Sequence, residues 1–137
     1  MNVLVIDAQG GGIGKQLVSS IRSNYPEIHI TAVGTNTPAT SAMLKAGADE
    51  AATGENAVVV NSRRADVIVG PIGIVIADAL LGEITPLMAK AVAQSDARRI
   101  LIPVNHCNNI VAGVEDLNMN RLIRSAVEEI SRITTNA

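Results

Sequence analysis

Three consecutive glycines stand inside the run Gln9-Gly10-Gly11-Gly12-Ile13-Gly14-Lys15. Glycine permits positive φ and close backbone approach, and the free N–H groups and dipole of a helix start attract an anion. Lys15 adds a positive charge beside them. Three glycines in a row exceed what a tight turn needs, so the run is expected to cradle a phosphate or similar anion. The plainer alternative is a turn whose glycines only let a helix pack against a sheet.

Known phosphate-binding patterns match this run in part. Gly10, Gly12 and Lys15 fall on the three glycine positions of Gly-x-Gly-x-x-Gly, so the third glycine is missing. Gly12-Ile13-Gly14 looks like the short-chain dehydrogenase turn, but Ala8 stands where that pattern has its first glycine. Gly14-Lys15 looks like the end of a Walker A loop, yet Gln9 replaces its leading glycine and Gln16 the hydroxyl that would hold magnesium. This last mismatch removes a chemical group, so the P-loop reading suffers most.

Other residues with chemical potential follow apolar runs. Gly34-Thr35-Asn36 follows the second run without the Asp or Glu that a NAD site uses to hold the ribose. That weakens NAD and leaves NADP, whose 2′-phosphate Thr35 and Asn36 could hydrogen-bond, or another phosphate-bearing nucleotide. Equally, Thr35 and Asn36 are a polar loop ahead of a helix. Gly70-Pro71-Ile72-Gly73 opens a further segment toward the same edge, as a second anion or sugar contact or as a rigid turn. Asn105-His106-Cys107-Asn108 places a thiol beside an imidazole, although neighbours along a strand point to opposite sides. The plainer reading of Cys107 is a small buried hydrophobe. Glu83, Glu55 and Asn56 are either crevice groups or exposed polar residues, and His29 reads as structural or surface.

The elements that must position these groups show in the periodicity. Asn2 to Asp7 is a continuous apolar run, as expected of a strand buried on both faces, and Ile13, Leu17, Val18 and Ile21 recur at helical spacing after the glycines. Glu27 to Val33 is a second strand, followed by Thr37-Pro38 as cap and first helical residue, with Gly47 closing that helix. A short strand near Asp49 to Ala52, a short helix, and a strand from Asp66 to Val69 come next. Ile74 to Leu81 is expected to be helical up to Gly82, and Thr85-Pro86 to cap the following helix. Arg99 to Val104 is a fifth strand. Only four residues then separate it from the apolar run Asn109 to Val114, too few for a parallel crossover, so an antiparallel hairpin is expected there. The closing helix places Leu122, Ile123, Ala126, Val127, Ile130 and Ile133 on one face.

The pattern predicts one domain over residues 1–137: α/β, a Rossmann-like three-layer sandwich with a mostly parallel sheet and an antiparallel edge hairpin. All strand-to-helix loops of such a sheet emerge at its carboxyl edge, where Gln9 to Lys15, Gly34 to Asn36, Gly70 to Gly73 and Asn105 to Asn108 would converge. Phe and Trp are absent and Tyr25 is the one aromatic residue, so the core must be aliphatic. A net charge of −2, with no basic stripe and no aromatic platform, argues against nucleic acid. No apolar run is long enough to span a bilayer, and a single cysteine with no leader sequence points to the cytoplasm. Positive mean hydropathy on so short a chain suggests a homodimer.

Gln9 to Lys15, Gly34-Thr35-Asn36, the stretch Ala39 to Ala48, Ala52 to Ala57, Gly70 to Ile74, Leu81-Gly-Glu-Ile-Thr-Pro86 and Pro103 to Cys107 together resemble a small bacterial family of unknown function. The resemblance covers nearly the whole chain and implies a stand-alone Rossmann-like domain, with no established reaction or cofactor. The residues favour binding of a nucleotide or other phosphate-bearing small ligand. A small NADP-linked reductase or transferase using Lys15, Glu83, His106 or Cys107 is the alternative, and a structural scaffold a weaker third.

Overall fold

The computed structural model describes residues 1–104, 108–114 and 118–135. Five strands form one sheet: β1 Asn2–Asp7, β2 His29–Gly34, β3 Glu50–Thr53, β4 Val67–Pro71 and β5 Arg98–Ile102. Every neighbouring pair is parallel, and the order is β3-β2-β1-β4-β5. This is the Rossmann-like arrangement, whose direction of winding reverses beside β1. The central strand is apolar on both faces, as its continuous run requires. Val3 and Val5 point into one core and Leu4 and Ile6 into the other, following the two-residue period of a strand.

The first core packs under α1 (Gly12–Asn24), α2 (Thr37–Lys45) and α5 (Met119–Thr135), through Leu17, Val18, Ile21, Met43, Ile123, Val127 and Ile130. The second lies under α3 (Glu55–Ser62) and α4 (Pro86–Gln94), through Val58, Met88, Ala89 and Val92. Both cores are aliphatic. No helix among the described residues is long and apolar enough to cross a membrane.

Three expectations are corrected. Asn36, rather than Thr37, caps α2: its Oδ1 accepts the Ala39 N–H at 2.9 Å, and Pro38 follows inside the first turn. Residues 108–114 are not a strand but turn and irregular chain, so the described sheet carries no antiparallel edge. Positive φ at Asn108 and Gly113 breaks the extended run, and Ile110 is 93% exposed, so apolar composition does not mean burial in the sheet here. Residues 74–81 are likewise not an α-helix. A single 3-10 turn, Ile72–Val75, gives way to a loop in which Asp78, Leu80 and Leu81 all adopt positive φ. That loop closes on itself, with the Asp78 N–H donating to Ile84 O at 2.7 Å and the Ile84 N–H to Ala79 O at 3.2 Å. Its apolar residues Ile74, Ala79, Leu80 and Ile84 are buried as a loop, which imitates a helical stripe in the sequence.

Candidate functional site

The turn after β1 divides its glycines by task. Gly11 has φ +74, and a Cβ there would come within 2.8 Å of the Ala39 backbone. At Gly14 a Cβ would meet Met43 Sδ at 2.5 Å and Asp7 Cβ at 2.8 Å. Both therefore let α1 approach α2 and the end of β1. Gly10 and Gly12 differ: each is exposed, and a Cβ would meet nothing within 4 Å. Their N–H groups find no acceptor among the described residues, whereas the Gly11 N–H donates to Ala8 O at 3.1 Å. Gly10 and Gly12 both line a small pocket of about 170 Å³, together with Asp7, Ile13, Pro71 and Leu80 among others.

Two carboxylates flank these donors. Asp7 ends β1 and is 4% exposed. Its Oδ2 accepts the Gly14 N–H at 2.6 Å and its Oδ1 the Ala8 N–H at 2.8 Å. Burial pushes its carboxyl above the ordinary aspartate range, against the pull of the Gly14, Ala8 and Ile13 N–H groups, and the nearby Glu83 charge pushes the same way. In the sequence Asp7 is only the last residue of a strand. The signal was an acid at the end of an otherwise apolar buried run, directly before the glycines.

Glu83 reaches this edge from the loop after β4. Its Oε1 accepts three hydrogen bonds: from Thr35 Oγ1 at 2.6 Å, Asn36 Nδ2 at 2.7 Å and the Gln9 N–H at 3.0 Å. Burial raises its carboxyl, but the bonds from Thr35, Gln9 and Asn36 together outweigh it and hold the group below the ordinary glutamate range. Asn36 Nδ2 also donates to Gln9 O at 2.9 Å. Gln9 is thus gripped at both its N–H and its carbonyl, in keeping with its φ of 53°. One carboxyl is pushed up and its neighbour held down at the same edge of the sheet, close enough for the Glu83 charge to act on Asp7.

Residues 2–135 match the family described as Domain of unknown function (DUF3842). The chain belongs to this family. No curated protein matches the sequence. Among solved structures, apo histidine-tagged saccharopine dehydrogenase (L-Glu forming) from Saccharomyces cerevisiae is similar, with TM-score 0.49 and 15% identity over 94% of this chain. This DUF3842 chain spans 23% of that enzyme's length. A dodecameric FMN-dependent UbiX-like decarboxylase from Escherichia coli O157:H7 is similar with TM-score 0.46 and 17% identity, over 98% of this chain and 76% of the other.

In this family member the structure brings Gln9 to Ile13, Thr35, Asn36, Pro71 and Glu83 together around the crevice. Lys15 is exposed and lines a different, open groove of about 880 Å³ between α1 and α5, with Ser19, Tyr25, Arg124 and Glu128. That groove is larger, but none of Gly10, Gly12, Asp7 and Glu83 lines it. Gly34, Gly70 and Gly73 have packing neighbours: a Cβ at Gly34 would meet Thr40 N at 2.5 Å, at Gly70 Ile6 O at 2.5 Å, and at Gly73 Leu80 Cγ at 3.1 Å. Glu55 is engaged elsewhere, its Oε2 accepting from Thr85 Oγ1 at 2.6 Å. His29 sits at the other end of β2, with Nε2 at 3.2 Å from Glu50. Asn105, His106 and Cys107 lie outside the described residues.

Proposed function

We propose that this domain binds a nucleotide or other phosphate-bearing small ligand at the carboxyl edge of its sheet, with a phosphate seated on the turn Gln9 to Gly14. The observation that carries the reading is the pair of Gly10 and Gly12 N–H groups, free of acceptors among the described residues and open to a pocket beside the point where the sheet reverses its winding. A volume of about 170 Å³ suits one phosphate group, with the rest of the ligand lying across the rim, because whole small-molecule sites run from about 300 Å³ upward. Pro71 lines that pocket, and Thr35 and Asn36 stand beside it through their bonds to Glu83 and Gln9, while Gly34, Gly70 and Gly73 are buried in packing contacts behind it. The test is a thermal-shift screen across NAD(H), NADP(H), ATP, GTP, coenzyme A and sugar phosphates, since a ligand of the native state raises apparent stability. A rise with a phosphate ester that its dephosphorylated form does not reproduce supports the reading. No rise with any of them at millimolar concentration contradicts it.

A small enzyme is the second reading, favoured by the opposite displacement of the Asp7 and Glu83 carboxyls, the kind of pair that divides acid and base roles. Turnover of whichever ligand binds, lost in Glu83→Gln while binding persists, would favour it over binding alone. We also propose a homodimer, for which light scattering at micromolar concentration gives the mass directly.

A further inference from the structure

The end of β2 offers hydroxyl and amide donors but no acid in its own sequence, Val33-Gly34-Thr35-Asn36. Read alone, those donors suit the 2′-phosphate of a phosphorylated ribose. In the folded chain both are already engaged: Thr35 Oγ1 at 2.6 Å and Asn36 Nδ2 at 2.7 Å donate to one oxygen of Glu83. The loop after β4 therefore delivers a carboxylate to the place where the strand itself supplies none. The same oxygen accepts the Gln9 N–H, so Glu83 bridges the glycine turn and the end of β2. All three bonds converge on Oε1, while Oε2 receives none among the described residues, and the side chain is partly exposed. The hydrogen bonds also keep the group ionised at neutral pH.

A partly exposed carboxylate held through one oxygen, whose other oxygen receives no donor among the described residues, is complementary to a hydroxyl and repels a phosphate. It lies beside Gln9, the residue next to the Gly10 donor of the proposed phosphate seat. One anion seat and one hydroxyl acceptor, joined through Gln9, match the phosphate and sugar of a nucleotide. We propose that Glu83 Oε2 accepts a ribose hydroxyl, so that the crevice selects nucleotides with an unmodified ribose and rejects those carrying a 2′-phosphate. This rests on the reading of the glycine turn as a phosphate seat. Glu83 then sets specificity from a loop on the far side of β1.

The experiment is calorimetric titration of the full chain with inorganic pyrophosphate, with the diphosphates of adenosine, guanosine and uridine, and, for each base that binds, with the 2′-deoxy and 2′-phosphorylated counterparts. The unmodified diphosphate should bind about tenfold more tightly than its 2′-deoxy form, as for loss of one hydrogen bond to a charged group. The 2′-phosphorylated form should bind more weakly still. Glu83→Gln retains an oxygen for Thr35 and Asn36 but replaces the free oxygen with an amide donor. It should remove the preference over the 2′-deoxy form and improve binding of the 2′-phosphorylated one by about tenfold or more. Pyrophosphate binding with no nucleoside diphosphate binding, or equal binding of all ribose forms by wild type, would overturn the ribose assignment and leave the phosphate seat standing. If pyrophosphate and every nucleotide fail to bind, the seat falls and the assignment with it.

Discussion

Two loops leave the same edge of the sheet and line the same pocket, and they reach unusual backbone conformations by opposite means. The turn after β1 places glycine at its tightest point, Gly11 at φ +74. The loop after β4 places Asp78, Leu80 and Leu81 at φ 65°, 57° and 58° before Gly82 completes the bend. A left-handed non-glycine residue carries a penalty of roughly 1–2 kcal/mol. In the β4 loop that penalty is offset by burial of Ala79, Leu80 and Ile84 and by the bonds of Glu83 to the neighbouring turn. The first loop is shaped mainly by its own glycines, with only Gln9 (φ 53°) held left-handed by Glu83 and Asn36, and the second by what it packs against. A glycine turn can therefore be read locally, while the β4 loop acquires its shape only in the fold.

Substitutions can break this contrast, and the largest effect is expected at Gly11. Gly11→Val combines a β-branched residue at positive φ with a Cβ 2.8 Å from the Ala39 backbone, and should destabilise by about 3–5 kcal/mol in urea unfolding. Gly12→Val, one residue on, meets open space and should unfold within about 1 kcal/mol of wild type. Equal losses at both positions would mean that the turn does not divide its glycines as described.

A smaller effect, resolved by pH, is expected at the two carboxylates. The Glu83 carboxyl is held below its ordinary range in the fold, so its stabilising contribution is full above the unfolded-state value near 4.3 and is lost as pH falls through the lower folded value. Asp7 is raised, so its contribution is full below the unfolded-state value near 3.9 and is lost as pH rises through the higher folded value. Urea unfolding should therefore show the deficit of Glu83→Gln shrinking toward pH 3, and the deficit of Asp7→Asn shrinking toward pH 7. Deficits that move together with pH would show that the two groups do not sit in opposed environments.

The smallest effect is expected at Leu81, which is 95% exposed at φ 58°. Leu81→Gly removes the left-handed penalty but adds freedom to the unfolded chain, so a net gain of about 0.5–1 kcal/mol is expected. A loss of stability would mean that the side chain stabilises the loop in a way its exposure does not suggest.

The same contrast explains what the sequence disclosed. The strand, glycine turn and helix from Asn2 to Asn24, and the apolar face of α5, were legible because local spacing and burial agree there. Residues 74–81 and 109–114 were misread because an apolar run fits a helix, a strand or a loop equally well until its packing partners are known. In the sequence Glu83 reads only as a candidate base or an exposed residue, and its bridge to the glycine turn goes unseen, since the Gln9, Thr35 and Asn36 groups that hold it lie 47 or more positions away along the chain. Asp7 passed as a strand end because only the fold turns its carboxyl toward the Ala8 and Gly14 N–H groups.

The proposed phosphate would be received by the N–H groups of Gly10 and Gly12, which have no acceptor among the described residues. Amide chemical-shift mapping during titration with the tightest phosphate ligand tests it most directly. The Gly10 and Gly12 amide signals should move furthest and shift downfield as they acquire an acceptor, and Gly12→Val, still folded, should show no saturable change in this turn. Largest shifts instead at Ser19, Arg124 and Glu128 in the groove between α1 and α5, with Gly10 and Gly12 unmoved, would contradict it.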